Sequence, residues 1–149
     1  MSAPDRSQFV YVTFIRTTPE ELWEALKDPR FTRQYWFGIV IESGWTKGSP
    51  WQMRYADGPV DTTGEVLEID PPRRLVVRWQ NQAKPALAAE GPSRCTFALE
   101  PVGDAVKLTI THEIDRPDSQ LIQAVSGGWP LVLSNLKSLL ETGAAVVRR

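Results

Sequence analysis

The feature that most constrains this chain is a long amphipathic segment in its last third, residues 118–143. Its apolar residues recur at spacings of three and four, which places them on one stripe of a helix. They are Leu121, Ile122, Val125, Trp129, Leu133, Leu136 and Leu140. A stripe this apolar needs a partner surface. Because Pro130 lacks an N–H and crowds the preceding turn, we expect a kink or a fresh start near Trp129, beside Gly127 and Gly128.

Most of the preceding chain has the composition and turn residues of β-strands. The predicted strands are 8–16, 39–43, 51–56, 61–69, 74–80, 93–101 and 105–114. The first is apolar on both faces, so we expect it to be central or well covered. Two short helices should follow it, because Thr18 and Asp28 each precede a proline and can cap a helix. Glu21 can complete a capping box with Thr18, and Gly38 should end the second helix.

This order predicts an α+β protein in which an antiparallel sheet of six to seven strands wraps around the C-terminal helix. A length of 149 residues predicts one domain, 1–149, with its core in 8–143 and frayed ends. The stretch 81–92 is long for a hairpin, and it predicts either a flap or a mobile loop.

Strand alternation predicts which side chains face the helix. In 105–114 the inward set is Val106, Leu108, Ile110, His112 and Ile114. The same rule turns Cys95, Phe97 and Leu99 inward, as well as Leu75, Val77 and Trp79, and Trp51, Met53 and Tyr55. Arg54 and Arg78 should face outward. Glu65 and Glu68 should lie on opposite faces unless a bulge intervenes, so no carboxylate pair is predicted.

Composition excludes several classes of function. The 17 basic and 18 acidic residues nearly cancel, so no overall field draws the chain to nucleic acid. No apolar run is long enough to span a membrane, and the N-terminus lacks the apolar core of a signal peptide, so we expect a cytoplasmic protein. One histidine and one cysteine in no ligand spacing predict neither a metal site nor a disulfide. Nucleotide-binding and serine-hydrolase motifs are missing, so we assign no cofactor and no catalytic residue.

Six tryptophans are the remaining signal. Their rings could fill the core, or they could line an apolar pocket of roughly 300–1,000 Å³ between sheet and helix. The candidate pocket residues are Trp36, Trp51, Met53, Tyr55, Trp79, Phe97, Ile110, His112, Trp129, Leu133 and Leu136. His112 or Tyr55 would be the polar anchor. His112 could also act as a general base, or it could be a core histidine bonded to a neighbour.

Three local motifs carry a family resemblance. They are Pro19–Leu26 with Asp28-Pro29, then Gly64-Glu65-Val66 leading into 70–75, and finally Gly128-Trp129 with Leu133, Leu136, Leu140 and Glu141. Over residues 8–143 the chain resembles the activator of heat-shock protein 90 ATPase homologue family, as a single-domain bacterial type of member. The resemblance implies the helix-grip fold of the START-like SRPBCC superfamily, with a pocket between sheet and long helix and a link to stress response.

Three functions follow as hypotheses. The first is a binder of an unidentified small hydrophobic or amphipathic molecule, without catalysis. The second is a protein-interaction module, either a chaperone co-factor or a homodimer. The third is a cyclase-like or hydrolytic enzyme that uses His112, which a lone histidine supports least.

Overall fold

The computed structural model describes residues 5–147, which form one sheet of seven strands with helices on one side of it. In chain order the elements are β1 (Ser7–Ile15), α1 (Pro19–Lys27), α2 (Pro29–Tyr35), β2 (Ile39–Ser43), β3 (Pro50–Tyr55), β4 (Val60–Asp70), β5 (Arg74–Asn81), α3 (Pro85–Ala88), β6 (Ser93–Val102), β7 (Ala105–Ile114) and α4 (Gln120–Thr142). The predicted strands and helices are present, and the strand bounds differ from the predicted ones by at most one residue. The short helix α3 was not predicted.

All neighbouring strands are antiparallel, in the order β1-β7-β6-β5-β4-β3-β2. The chain crosses from the β1 edge to the β2 edge through α1 and α2, and α4 packs against the sheet over the inward faces of the strands. This arrangement confirms the predicted α+β helix-grip architecture. The inward residues predicted for β5, β6 and β7 are all buried.

The prediction that β1 is central or well covered is wrong, since β1 is an edge strand with an exposed outer face. Its odd-numbered residues face the core, whereas Val10, Val12 and Phe14 are 50%, 44% and 50% exposed. Apolar residues on both faces predict burial on both faces, but here the outer face is apolar and uncovered. Whether another element covers the outer face of β1 depends on distant parts of the chain, and the local sequence pattern does not contain that information.

Both predicted caps of the short helices are present. The Thr18 hydroxyl accepts a hydrogen bond from the N–H of Glu21 at 3.2 Å, and the Asp28 carboxylate accepts one from the N–H of Arg30 at 2.9 Å. The capping box is not completed, because the Glu21 carboxylate instead accepts a hydrogen bond from the hydroxyl of Thr17 at 2.9 Å. α2 ends at Tyr35, three residues before Gly38.

Helix α4 runs without interruption through Pro130, so it makes no fresh start near Trp129, while the alternative of a kink stays a prediction. The loop after α3 caps the N-terminus of α4. The Glu90 carboxylate in this loop accepts hydrogen bonds from the Ser119 hydroxyl and from the N–H groups of Gln120 and Leu121. Although partial burial opposes it, these bonds hold the pKa of Glu90 below its usual range. The stretch expected to be a flap or mobile loop therefore caps the main helix.

The segment after α4 is held by one buried amide. Asn135 donates a hydrogen bond from Nδ2 to the carbonyl of Val147 at 2.9 Å and accepts one from the N–H of Val147 at 2.8 Å. Its Nδ2 also lies 3.3 Å from the carbonyl oxygen of Tyr35. These hydrogen bonds connect the segment up to residue 147 to α4, and fraying of this end stays a prediction. Residues 1–4 and 148–149, also expected to fray, lie outside the described residues.

Gly64 lets two tryptophans meet across β4. It is paired with Trp51 of β3 on one side and with Trp79 of β5 on the other, and the two rings lie 5.3 Å apart. A Cβ at this position would lie 1.6 Å from the carbonyl oxygen of Arg78. Only glycine fits there without displacing the β5 backbone.

We expect Gly64→Ala to lower the free energy of unfolding by about 3 kcal/mol or more, because the overlap is with backbone and cannot relax through a rotamer change. The matched control is Gly127→Ala, since a Cβ at Gly127 has no neighbour within 4 Å and helix propensity favours alanine by about 0.5–1 kcal/mol. Urea unfolding of both variants tests the pair. Equal stabilities would contradict the close approach at Gly64.

Candidate functional site

A cluster of four tryptophans fills the space between α4 and the sheet. The ring centroid of Trp79 lies 5.3 Å from that of Trp51, 5.8 Å from that of Trp129 and 6.4 Å from that of Trp36. Trp36 and Trp129 are 5.3 Å apart in an edge-to-face arrangement. These separations are those of direct aromatic contact. The centre of the helix–sheet interface is therefore packed with rings.

His112 is buried beside this cluster, and both of its ring nitrogens have partners. The indole N–H of Trp129 donates to Nδ1 of His112 at 3.1 Å, and Nε2 lies 2.8 Å from the hydroxyl oxygen of Ser93. The Ser93 hydroxyl is also 3.2 Å from the carbonyl oxygen of Trp79. One continuous chain of hydrogen bonds thus joins α4 to β7, β6 and β5.

The direction of this chain fixes the protonation state of His112. An indole N–H can only donate, so Nδ1 must be the acceptor and the ring proton must be on Nε2. Nε2–H then donates to Ser93, whose hydroxyl donates to the Trp79 carbonyl. Burial lowers the pKa of His112 from 6.5 to about 3. A neutral, fully bonded imidazole without solvent contact matches a core histidine bonded to its neighbours, and it is poorly placed to act as a general base.

An open cleft of about 640 Å³ lies at the side of this packed centre, between α4, the end of α2 and strands β3 and β4. Its lining residues are Trp36, Phe37, Ile39, Met53, Tyr55, Asp61, Gly127, Gly128, Leu131 and Val132. A smaller cavity of about 90 Å³ adjoins it and reaches Trp79 and Trp129. The two share Trp36, Gly128 and Val132, so the outer surface of the tryptophan cluster forms part of the cleft.

The cleft exists because α4 carries no side chain at two consecutive positions. A Cβ built on Gly127 or on Gly128 meets no atom within 4 Å. The residues on either side are larger, and Trp129 packs inward. The two glycines that interrupt the amphipathic pattern therefore leave open the space above Trp36.

Asp61 reaches the rim of the cleft through a β-bulge. The register of β3 and β4 changes from Met53 opposite Thr62 to Arg54 opposite Val60, which leaves Asp61 as an extra residue. A bulge of this kind redirects the side chain of the inserted residue. Asp61 thereby lines a cleft whose floor is otherwise apolar.

The predicted pocket residues divide into four groups. Trp36, Met53 and Tyr55 line the large cleft, although Tyr55 is 40% exposed and not inward as expected. Trp79 and Trp129 line only the small adjoining cavity, and Trp51 lines a separate surface depression beside Gly64. The others are buried in the core and line neither the cleft nor the small cavity: Phe97, Ile110, His112, Leu133 and Leu136.

Sequence reasoning missed Asp61 and the positive role of the glycine pair in forming this cleft. Gly127 and Gly128 were visible as an interruption of the helix, and their position beside the apolar stripe was a usable signal. Asp61 begins the predicted strand 61–69, but its position in the cleft lining depends on the bulge, which the sequence pattern does not show. A second bulge, between Val66 and Glu68, lets Glu65 and Glu68 both pair with outward arginines.

Other chemistry finds little support in residues 5–147. No group of three or more histidine, cysteine or acidic side chains in this range is arranged to hold a metal ion. Cys95 is buried, and burial raises the pKa of its thiol. No helix within the same range has both the length and the apolar composition needed to cross a bilayer.

Comparison with known proteins identifies relatives of this fold. A family model described as activator of Hsp90 ATPase homolog 1-like protein matches residues 16–141. Protein MLL2253 from Mesorhizobium loti is 26% identical with a TM-score of 0.76, over 91% of this chain and 97% of that one. The Aha1 dimer from Colwellia psychrerythraea is 20% identical with a TM-score of 0.71, over 92% and 98%. CalU16 from Micromonospora echinospora is 21% identical with a TM-score of 0.70, over 91% and 77%. No curated protein matches the chain.

The state of His112 predicts how stability depends on pH. Because its folded pKa lies below that of the unfolded chain, the unfolded chain binds a proton that the folded protein excludes, and stability is lost as pH falls from about 6.5 towards about 3. We expect a loss of about 2 kcal/mol between pH 7 and pH 5 in urea unfolding. His112→Gln removes the only histidine and should show a nearly flat profile over that interval. Parallel profiles for the two proteins would contradict the buried neutral imidazole.

Proposed function

The chain belongs to the activator of Hsp90 ATPase homolog 1-like family, and from that premise we propose that it binds a small hydrophobic or amphipathic molecule in the cleft beside α4. The observation that carries this proposal is an open cleft, lined mostly by apolar residues, at the point where the helix has two glycines in place of side chains. The proposal keeps the predicted ligand class but moves the site from the centre of the helix–sheet interface to its side.

The size and lining of the cleft support this assignment. Small-molecule sites are commonly clefts of roughly 300–1,000 Å³ with mostly apolar walls and a few polar groups. The volume here is about 640 Å³, with Trp36, Ile39 and Met53 among the apolar residues and Tyr55 and Asp61 as polar ones. An apolar tail can lie against the indole of Trp36 while a polar head stays near the rim.

The packed centre limits how deep a ligand can go. Entry between Trp79 and Trp129 would separate rings in contact and would break the hydrogen bond from Trp129 to His112. The adjoining cavity of about 90 Å³ is too small for more than a few atoms. A ligand in the outer cleft requires neither change, so we place it there.

Catalysis by His112 is not proposed, because its two ring nitrogens are already bonded and it does not line the cleft. A chaperone partner and a link to stress response stay predictions that rest on family membership alone.

The decisive variant fills the cleft from the helix side. Gly128→Leu places a side chain in the open space and improves helix propensity, and urea unfolding of the variant checks that it stays folded. We expect the neutral fluorescent probe N-phenyl-1-naphthylamine to bind the native protein saturably and the variant at least tenfold more weakly. The matched control is Ser134→Leu, at an exposed position of the same helix away from the cleft.

Two results would overturn the proposal. One is probe fluorescence that rises linearly without saturation on the native protein. The other is equal affinity in the native protein and in Gly128→Leu, which would place the bound probe outside this cleft.

A second candidate function, assembly with another copy of the chain, is favoured by strand β1. This edge strand has no charged residue and no proline over Ser7–Ile15, and it exposes Val10, Val12 and Phe14. Edge strands of soluble monomers usually carry charged residues or proline, which prevent pairing with another strand. A relative of the same fold, Aha1 from Colwellia psychrerythraea, is a dimer. An uncharged strand can pair antiparallel with its own copy without electrostatic repulsion.

Helix α4 limits the length of such a pair. Lys137 donates a hydrogen bond to the carbonyl oxygen of Phe14, so that end of the free edge is covered. Because backbone groups alternate in direction along an edge strand, Gln8, Val10 and Val12 then direct theirs to the open side. Pairing would therefore centre on Val10.

We expect Val12→Lys to shift the protein from dimer to monomer in sedimentation velocity, because a charge on the edge disfavours strand pairing. Val102→Lys is the matched control, since Val102 is 45% exposed at the end of β6 and away from the edge. A native protein that sediments as a monomer at 100 µM, or a dimer unaffected by Val12→Lys, would contradict the β1 interface.

A further inference from the structure

We propose that the cleft beside α4 selects amphiphiles with a positively charged head, such as alkyl or aryl amines, over those with an anionic head. This inference rests on the proposed function and names the ligand class of the same cleft. It follows from the one charged residue in the lining, the way the bulge places that residue, and the aromatic rings around it.

The charge of the lining is unbalanced. Asp61 is the only lining residue with a formal charge, and the rest are apolar, aromatic or glycine. Within residues 5–147 no basic side chain forms a salt bridge with it. Arg54 on the neighbouring strand is bonded to Glu42, with its Nε 2.8 Å from Oε1. A bound cation would therefore not compete with an existing ion pair.

The contacts of Asp61 hold it in place and leave it able to accept further hydrogen bonds. Its Oδ2 accepts a hydrogen bond from the buried hydroxyl of Thr62 at 2.8 Å, and its carbonyl accepts one from the N–H of Gln82 at 2.8 Å. An ionised carboxyl group can accept about four hydrogen bonds, so one side-chain partner leaves most of its capacity unused. An ammonium head has three donors, so it can supply hydrogen bonds that the Asp61 carboxylate is still able to accept.

The bulge determines where the carboxylate of Asp61 lies. In regular pairing Asp61 would take the place of Val60 or Thr62, and the charge would point to the outer face or into the core. As the inserted residue, Asp61 lies between the outer face and the core, at the rim of the cleft. A head group bonded there would leave its tail over Trp36 and Met53.

Aromatic rings favour the same sign of charge. Trp36 and Tyr55 both line the cleft, and the negative faces of such rings attract cations at short range. A carboxylate or sulfate head would find no basic side chain among the lining residues and would meet the carboxylate of Asp61. The apolar floor attracts all tails equally, so the head group decides selectivity.

The test compares three ligands with the same ten-carbon tail: decylamine, decanol and decanoate, each displacing N-phenyl-1-naphthylamine at pH 7 below its aggregation threshold. We expect decylamine to bind at least tenfold more tightly than decanoate, with decanol between them. Added salt at 0.5 M should reduce the difference, because it screens charges at a partly exposed site. Asp61→Asn should make the affinities for decylamine and decanoate equal.

Asp104→Asn is the matched control, since it makes the same chemical change at an exposed turn outside the cleft. It should keep the native preference. Equal affinities for decylamine and decanoate, or a preference that survives Asp61→Asn, would overturn the charge selectivity while leaving the proposed function intact. If none of the three ligands displaces the probe, or the probe does not bind, the proposed function fails with it.

Discussion

The hydrogen bond from the Trp129 indole to His112 is the interaction on which the arrangement of helix and sheet depends. It is buried, it joins α4 to β7, and it continues through Ser93 to the backbone of β5. A donor or acceptor left unpaired in this position would cost about 1–3 kcal/mol, so the chain of bonds holds the helix at one height above the sheet. The four tryptophans then fill the remaining space, and the centre of the interface is closed.

Closure at the centre determines where a cleft can form. Trp129 packs inward and fills the space between helix and sheet. Gly127 and Gly128, directly before it, have no side chains and leave the adjacent space open. The β3–β4 bulge places Asp61 at the same opening. Two local departures from regular structure, a glycine pair in a helix and an extra residue in a strand, thus meet at one site. This coincidence is the physical basis for proposing a binding function there.

The fold could be predicted from the sequence because it follows from periodicity and turn chemistry. The inward face of β7 and the caps at Thr18 and Asp28 are local properties and were predicted correctly. The site could be predicted only in part. Whether rings fill a core or line a cavity depends on packing between distant segments, and the bulge at Asp61 depends on the register of two strands. The edge position of β1 and the anchoring of the tail by Asn135 have the same origin in long-range contacts.

A bound ligand should occupy the outer cleft while the packed centre of the helix–sheet interface stays closed. The most direct measurement is a ¹H–¹⁵N spectrum of the six tryptophan indole N–H groups during titration with decylamine. We expect a large, saturable shift for Trp36, while the Trp129 signal keeps the position of an indole hydrogen-bonded to His112. Movement of the Trp129 signal to that of a free indole would contradict it, because the ligand would then have separated helix from sheet.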